Sequence, residues 1–202
     1  ILTQGFQQSF TYPSCAASAP YTQDYSTGVL PVGVCTPNQW AISQTTGSGW
    51  VFAGTPGFHA ASNGSLAGTY AWIDFSSTDA GVIMEVEDVD VSTLTSATLY
   101  FDYFSDLGPT YASYVSTMNI MYVEAYDGTS WNNIATLQLN ATGWNTYQYS
   151  LSGFDVSGVV SVRFRGESGG DTYDYMNDLL IDNVRMDNYT APAVPGCTDS
   201  TA

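Results

Sequence analysis

The chain contains no lysine, and apart from one histidine its basic residues are confined to Arg163, Arg165 and Arg185. Against them stand 19 acidic residues, so the 202-residue chain carries a formal net charge of −16. A surface of that sign repels a phosphate backbone and excludes nucleic acid as a partner. It attracts divalent cations, and it also serves to keep an exported protein in solution. With His59 as the sole histidine and no G-x-S-x-G segment, there is little from which to build an acyl-transfer triad or a zinc site. His59 follows Pro56-Gly57 in a Gly- and Ala-rich stretch and reads as a surface loop residue. No apolar run reaches the roughly 18 residues a membrane helix needs, which argues against membrane insertion. No signal peptide is visible; Ile1 reads as the start of a mature or excised product, so export is inferred from other features.

Cysteine is scarce too. Cys15 and Cys35 share a Pro- and Tyr-rich stretch without metal-ligand spacing or a neighbouring histidine, which predicts a local disulfide in an oxidising compartment. Cys197, near the end, is left over and predicts a partner outside this sequence. Helical stripes are also missing, because Gly, Asn, Asp and Ser recur too often for a 3.6-residue period to persist.

What the chain has in abundance is aromatic side chains, 14% of the total with 15 tyrosines, and these favour half-buried pleated surfaces. Residues 1 to about 40 read as irregular. From Tyr70 onward the two-residue period of strands takes over. Ala71, Ile73 and Phe75 point one way while Tyr70, Trp72 and Asp74 point the other. Val82, Met84 and Val86 share a face, as do Leu99, Phe101 and Tyr103, then Tyr147, Tyr149 and Leu151, then Val160, Val162 and Phe164. Asp127-Gly128 marks a hairpin turn between Tyr126 and Trp131. The last strand runs from Leu179 to Met186, and Tyr189 to Gly196 reads as a linker. Many short strands separated by turn residues predict an all-β, two-sheet antiparallel sandwich. Sequons at Asn63, Asn140 and Asn188 fit exposed loops.

The order of motifs resembles the MAM-like jelly-roll domains of bacterial surface proteins, including the cleaved-adhesin and choice-of-anchor groups. Gly5-Phe6-Gln7 is similar to their opening "GFE"; Leu30-Pro31-Val32-Gly33 followed by Trp40 is similar to "FPxGW". Gly68 to Ile73 resembles "G-x-x-A-x-I", and Val89 to Ser92 followed by Ala97 to Tyr103 resembles "LDLS…ATLSFDY". Asp127 to Trp131 looks like the "DGTTW" hairpin, and Trp144, Tyr147 and Leu151 follow "W-x-x-Y-x-x-x-L". Val162 to Arg165 and Ile181 to Val184 resemble "VRFRA" and "LDNI". The resemblance implies a jelly roll over residues 1–188, with a cysteine-bounded insertion at about 12–38. Residues 189–202 would be a linker and the start of a Cys- and Asp-rich repeat of the kind found in proteins exported by the type IX route. It further implies a secreted or cell-surface location, no catalysis, and a structural Ca²⁺ near the chain ends. Carried over by position, its ligands are Gln7, in place of the family's Glu, together with Asp182 and Asp74.

Other clusters point elsewhere. Asp171, Asp174 and Asp178 with Asn177 are dense enough in oxygen for a second Ca²⁺, but lack EF-hand spacing and read instead as a solvated loop. Glu85 and Glu87 share a strand face at the spacing a retaining glycosidase pair would use, yet the segment continues into the adhesin-like match and reads as a polar outer face. Tyr111, Tyr114, Tyr173 and Tyr175 lie in loops beside Asp and Asn, as a sugar-binding platform requires, and the same rings suit contact with a neighbouring subunit. Trp72, Trp131 and Trp144 read as packing residues. The leading expectation is a non-catalytic adhesion or assembly module of a larger bacterial surface protein, stabilised by Ca²⁺, with other subunits or a glycan as partner. The alternative is a carbohydrate-binding module attached to a secreted polysaccharide-degrading enzyme.

Overall fold

Strand-period alternation carries through into the computed structural model, which describes residues 15–64, 68–76 and 79–191. In chain order the strands are β1 (Ala17–Ser18), β2 (Tyr21–Gln23), β3 (Ala41–Ser43), β4 (Trp50–Val51), β5 (Ala71–Ile73), β6 (Val82–Glu85) and β7 (Val89–Asp90). They continue as β8 (Ala97–Phe104), β9 (Ile120–Tyr126), β10 (Trp131–Leu137), β11 (Trp144–Ser150), β12 (Val159–Val160), β13 (Val162–Glu167) and β14 (Leu179–Asn188). Among the described residues two short α-helices, α1 (Phe58–Asn63) and α2 (Gly108–Tyr111), and a 3-10 turn at Asp174–Met176 lie in the connections.

One sheet runs β10-β9-β13-β6-β3 and the other β11-β8-β14-β5-β4, giving the expected antiparallel jelly-roll sandwich. Along β13, Val162, Phe164 and Gly166 are buried while Arg163, Arg165 and Glu167 face outward, as a period of two requires. Val82 and Met84 of β6, Met121, Val123 and Ala125 of β9, and Leu99, Phe101 and Tyr103 of β8 join them in one core between the sheets. β8 is buried on both faces: its outward Phe104 packs with Ala60 of α1, Tyr70, Trp72 and Leu180 in a second cluster. That cover explains why β8 departs from polar-apolar alternation.

β14 organises the second sheet. One edge pairs with β8; the other is shared by β5 at Leu179–Ile181 and by β2 at Val184–Met186. Where the edge partner changes, the register with β8 shifts between Asp182 and Arg185, and Asn183 adopts φ +49. A bulge here re-aims the strand.

The N-terminal stretch is more regular than the sequence suggests. β1 pairs in parallel with β7, and β7 pairs with β12, so the insertion is held by a small third sheet. Cys15 and Cys35 form the expected disulfide, with Cα atoms 6.0 Å apart. Tyr25 is fully buried, edge-on to Trp40 at 5.8 Å, and so belongs to the main core. Glu87 is a correction to the reading from sequence. It is only 5% exposed, because the chain leaves β6 after Glu85 and turns toward the insertion. There it accepts hydrogen bonds from Tyr21 Oη at 3.1 Å and Val34 N at 2.7 Å.

Candidate functional site

The four loop tyrosines singled out from the sequence meet at one end of the sandwich, and Phe58 joins them. Tyr114 stands edge-on to Tyr173 at 5.9 Å between ring centroids, and Tyr173 lies 6.2 Å from Tyr175. Phe58 links the row, 5.3 Å from Tyr175 and 5.3 Å from Tyr111. Tyr114, Tyr173 and Phe58 remain 54%, 39% and 37% exposed, so much of the aromatic surface faces solvent. Rings held edge to face or tilted in this way present several apolar faces at small entropic cost. Phe58 lies far from the tyrosines in sequence and only the fold brings it to them. The one local sign was an aromatic directly after the Pro56-Gly57 turn.

The acidic residues of these loops act as struts for that row. Asp171 Oδ2 accepts from the backbone N–H groups of Ser116 at 2.8 Å and Thr117 at 3.2 Å and from the Ser116 hydroxyl, and Oδ1 accepts from Tyr173 N at 2.8 Å. The segment carrying Tyr173 is thereby tied to the one carrying Tyr114. The same bonds, the Ser116 hydroxyl foremost, hold the Asp171 carboxyl down at about 2. Asp174 takes the Ser168 hydroxyl. Asn119 and Asn177 are buried and bond each other, Asn119 N donating to Asn177 Oδ1 at 2.9 Å and Asn119 Nδ2 to Asn177 O at 2.7 Å. Asp178 Oδ2 accepts from Gly57 N at 2.5 Å, anchoring the residue before Phe58. Phe58 itself sits at φ +50, a conformation rare for a side-chain-bearing residue and one that recurs at ligand clamps.

Asp178 corrects the expectation of a solvated loop: it is buried. Burial pushes its carboxyl up to about 7, with Asp74 and Asp79 adding and the Gly57 N–H opposing. Because Asp171, Asp174 and Asp178 are each engaged by separate partners, they form a scaffold rather than one oxygen cage.

Of the residues carried over for calcium, Asp74 and Asp182 are placed apart. Gln7 lies outside the described residues. Asp74 follows β5 at the level of Asp178, since Ile73 registers with Leu179, and its Oδ1 accepts from Ser76 N at 2.9 Å in a local turn. Asp182 lies four residues further along β14, roughly 13 Å away at the usual strand rise. It registers directly opposite Asp102. Burial raises the Asp182 carboxyl to about 6, the charges of Asp102 and Asp24 adding and the Asn183 N–H opposing. Asp102 is itself held by the Thr146 hydroxyl at 2.5 Å and Asn183 Nδ2 at 2.7 Å. Among the described residues no three acidic, His or Cys side chains gather as ligands. At that separation Asp74 and Asp182 do not share one ion.

His59 belongs to α1 rather than to a loop, with Nε2 3.6 Å from Asp106 Oδ2. Trp72 is buried as a packing residue, in the second cluster under α1, whereas Trp131 stands on the outer face of the five-stranded sheet with the Arg163 guanidinium 4.3 Å from its ring centroid. Among the described residues no helix is long and apolar enough to cross a membrane.

No family model matches the chain, and no curated protein does. Among solved structures it is similar to the CBM22-2 xylan-binding domain of Paenibacillus barcinonensis Xyn10C, at 17% identity and a TM-score of 0.47 over 84% of this chain and 99% of that one. It is also similar to TmCBM61, solved in complex with β-1,4-galactotriose, at 12% identity and a TM-score of 0.47 over 81% and 92%. A structure described as "CBM4 structure and function" is 18% identical, with a TM-score of 0.43 over 75% and 87%. Likeness at this level does not identify a ligand.

Proposed function

We propose that this chain is a non-catalytic glycan-binding module of a larger extracellular protein, and that the row Tyr114, Tyr173, Tyr175, Phe58 and Tyr111 is its sugar-binding platform. The observation that carries the proposal is the convergence of five aromatic rings from three separated segments into one solvent-facing row. Buried or hydrogen-bonded carboxyl and amide groups fix that row from behind. Sugar rings present C–H faces that lie on aromatic surface, while their hydroxyls need polar neighbours of the kind found around Asp171 and Asp174. A rigid, preformed row lowers the ordering cost of binding. Adhesion by the full-length protein would then be exercised through the glycan.

The non-catalytic part of the reading is supported by the two strand carboxylates nearest to a hydrolase pair. Glu87 is turned inward to Tyr21 and Val34, while Glu85 stays on the outer face, so they do not flank a common bond.

Titration calorimetry of the chain against a panel of neutral polysaccharides tests the proposal. Tyr114→Ala and Tyr173→Ala remove exposed rings, so folding should persist while affinity for the bound glycan falls at least about tenfold, roughly 1.4 kcal/mol. Undiminished binding by the double variant, or no binding across the panel, would overturn it.

A further inference from the structure

A second concavity lies on the outer face of the five-stranded sheet. At the hairpin end of that face Trp131 of β10 registers opposite Tyr126 of β9, and the two rings meet at 5.5 Å with 51° between their planes. Ser161 lies just before β13, and beyond it come Glu85 and Val86 at the end of β6, then Asp88. Between the aromatic side and the carboxylate side is an open cavity of about 380 Å³. That is within the range of about 300–1,000 Å³ found for small-molecule sites.

Apart from the Trp131 indole N–H and the Tyr126 hydroxyl on the aromatic side, the polar side chains lining this cavity present acceptors. Ser161 Oγ donates its proton to Asp88 Oδ1 at 2.5 Å, which leaves the hydroxyl only lone pairs to offer. Glu85 has a side chain 41% exposed, and its nearest cation, Arg163 Nη1, is 3.8 Å away, beyond hydrogen-bond distance. Among the described residues neither Glu85 oxygen accepts a hydrogen bond. Backbone donors here are spent inside the fold: Val86 N on Val162 O at 3.0 Å and Tyr126 N on Ser161 O at 3.1 Å. Arg163 is committed to Glu124, with Nε at 2.6 Å, and to the Trp131 ring.

A cavity with electron-rich rings on one side and, on the other, carboxylates with lone pairs to spare, Glu85 accepting no hydrogen bond among the described residues and Asp88 only that of Ser161 on Oδ1, suits a ligand that brings donors, positive charge and a flat apolar face. We propose that it takes an amino-sugar unit bearing a free primary ammonium, the pyranose face against Trp131 and Tyr126 and the ammonium toward Glu85 and Asp88. The inference rests on the glycan reading but uses a different surface. A lysine side chain offers the same ammonium on a thin stem and leaves the aromatic wall largely uncovered. Another copy of this chain has no lysine to offer.

Calorimetry of the intact chain with glucosamine tetramer, N-acetylglucosamine tetramer and glucose tetramer, at about pH 6 where an ordinary carboxylate is ionised and an amine protonated, decides the matter. The glucosamine tetramer should bind at least about tenfold more tightly than either neutral one. Glu85→Gln should remove most of that advantage while leaving neutral-glycan binding and the melting temperature unchanged, and Trp131→Ala should weaken glucosamine binding in parallel. The net charge of −16 attracts any polycation diffusely, but Glu85→Gln changes it by only one. A diffuse effect would therefore survive that substitution, and its survival would overturn the proposal. Equal affinity for the acetylated tetramer would overturn it too, as would a Glu85-dependent preference for an oligolysine peptide. Glu85-dependent glucosamine binding with no effect of Tyr114→Ala or Tyr173→Ala on neutral glycans would instead sink the tyrosine platform and leave this cavity standing.

Discussion

Asp178 is closed off from solvent with Asp74 and Asp79 as neighbours, so its charged form is the costly one. Its folded value near 7 lies above the ordinary 3.8. Between about pH 4 and pH 7 the native chain therefore holds a proton that the unfolded chain has released. The stability this contributes is fully present below about pH 4 and is lost as pH rises through 7. A shift of this size corresponds to a contribution on the order of 2–4 kcal/mol. Asp178→Asn keeps an oxygen for Gly57 N and cannot ionise. We expect it to melt higher than the parent at pH 8 and nearly level with it at pH 4; a variant destabilised equally at both values would contradict this account. The same residue positions Phe58, so the variant also reports whether the platform tolerates a neutral strut.

At the scale of elements, β6 and the insertion share one device. β6 ends at Glu85, and two residues on Glu87 reaches the insertion through Tyr21, itself bonded by Trp40 Nε1 at 3.1 Å, and through Val34. Removing the carboxylate leaves the Val34 N–H and the buried Tyr21 hydroxyl short of an acceptor, which costs about 1–3 kcal/mol. Glu85→Ala, two residues away on the solvent side, should stay within about 0.5 kcal/mol of the parent. Urea denaturation of the two variants checks the contrast, and equal midpoints would show that Glu87 does not tie the insertion down. The disulfide between Cys15 and Cys35 encloses the same stretch and works in the same direction.

For the molecule as a whole, the charge imbalance has a local answer. Arg163 and Arg165 converge on Glu124, at 2.6 and 3.0 Å, and all three arginines lie over aromatic rings, namely Trp131, Tyr122 and Tyr100. All three arginines are thus drawn against a sheet face, and the remaining surface is left acidic. Calcium is the natural probe of that surface. Asp182 is a buried carboxylate facing Asp102, with the charge of Asp24 also acting on it. Asp182→Asn should therefore raise the melting temperature at pH 8 in the presence of chelator and leave any response to millimolar Ca²⁺ unchanged. If the variant instead melts lower and loses a Ca²⁺ response that the parent shows, Asp182 is a metal ligand after all.

The sequence by itself determined the class of fold and most of its strands. A two-residue apolar period is a local property, and Val162, Phe164 and their like point inward wherever the strand is placed. It also marked the disulfide and the four tyrosines, because loop position and neighbouring Asp and Asn residues can be read without a partner. It did not reveal β1 and β2, two and three residues long and held by pairing with β7 and β14. Nor did it show that Glu87 turns inward, that Trp131 faces out, or that Phe58 completes the aromatic row. Asp74 and Asp182, linked by resemblance, were separated only by the register of β5 on β14. Each of these depends on contacts between residues tens of positions apart, and only tertiary structure decides which face of a side chain meets water and which meets another segment of the chain.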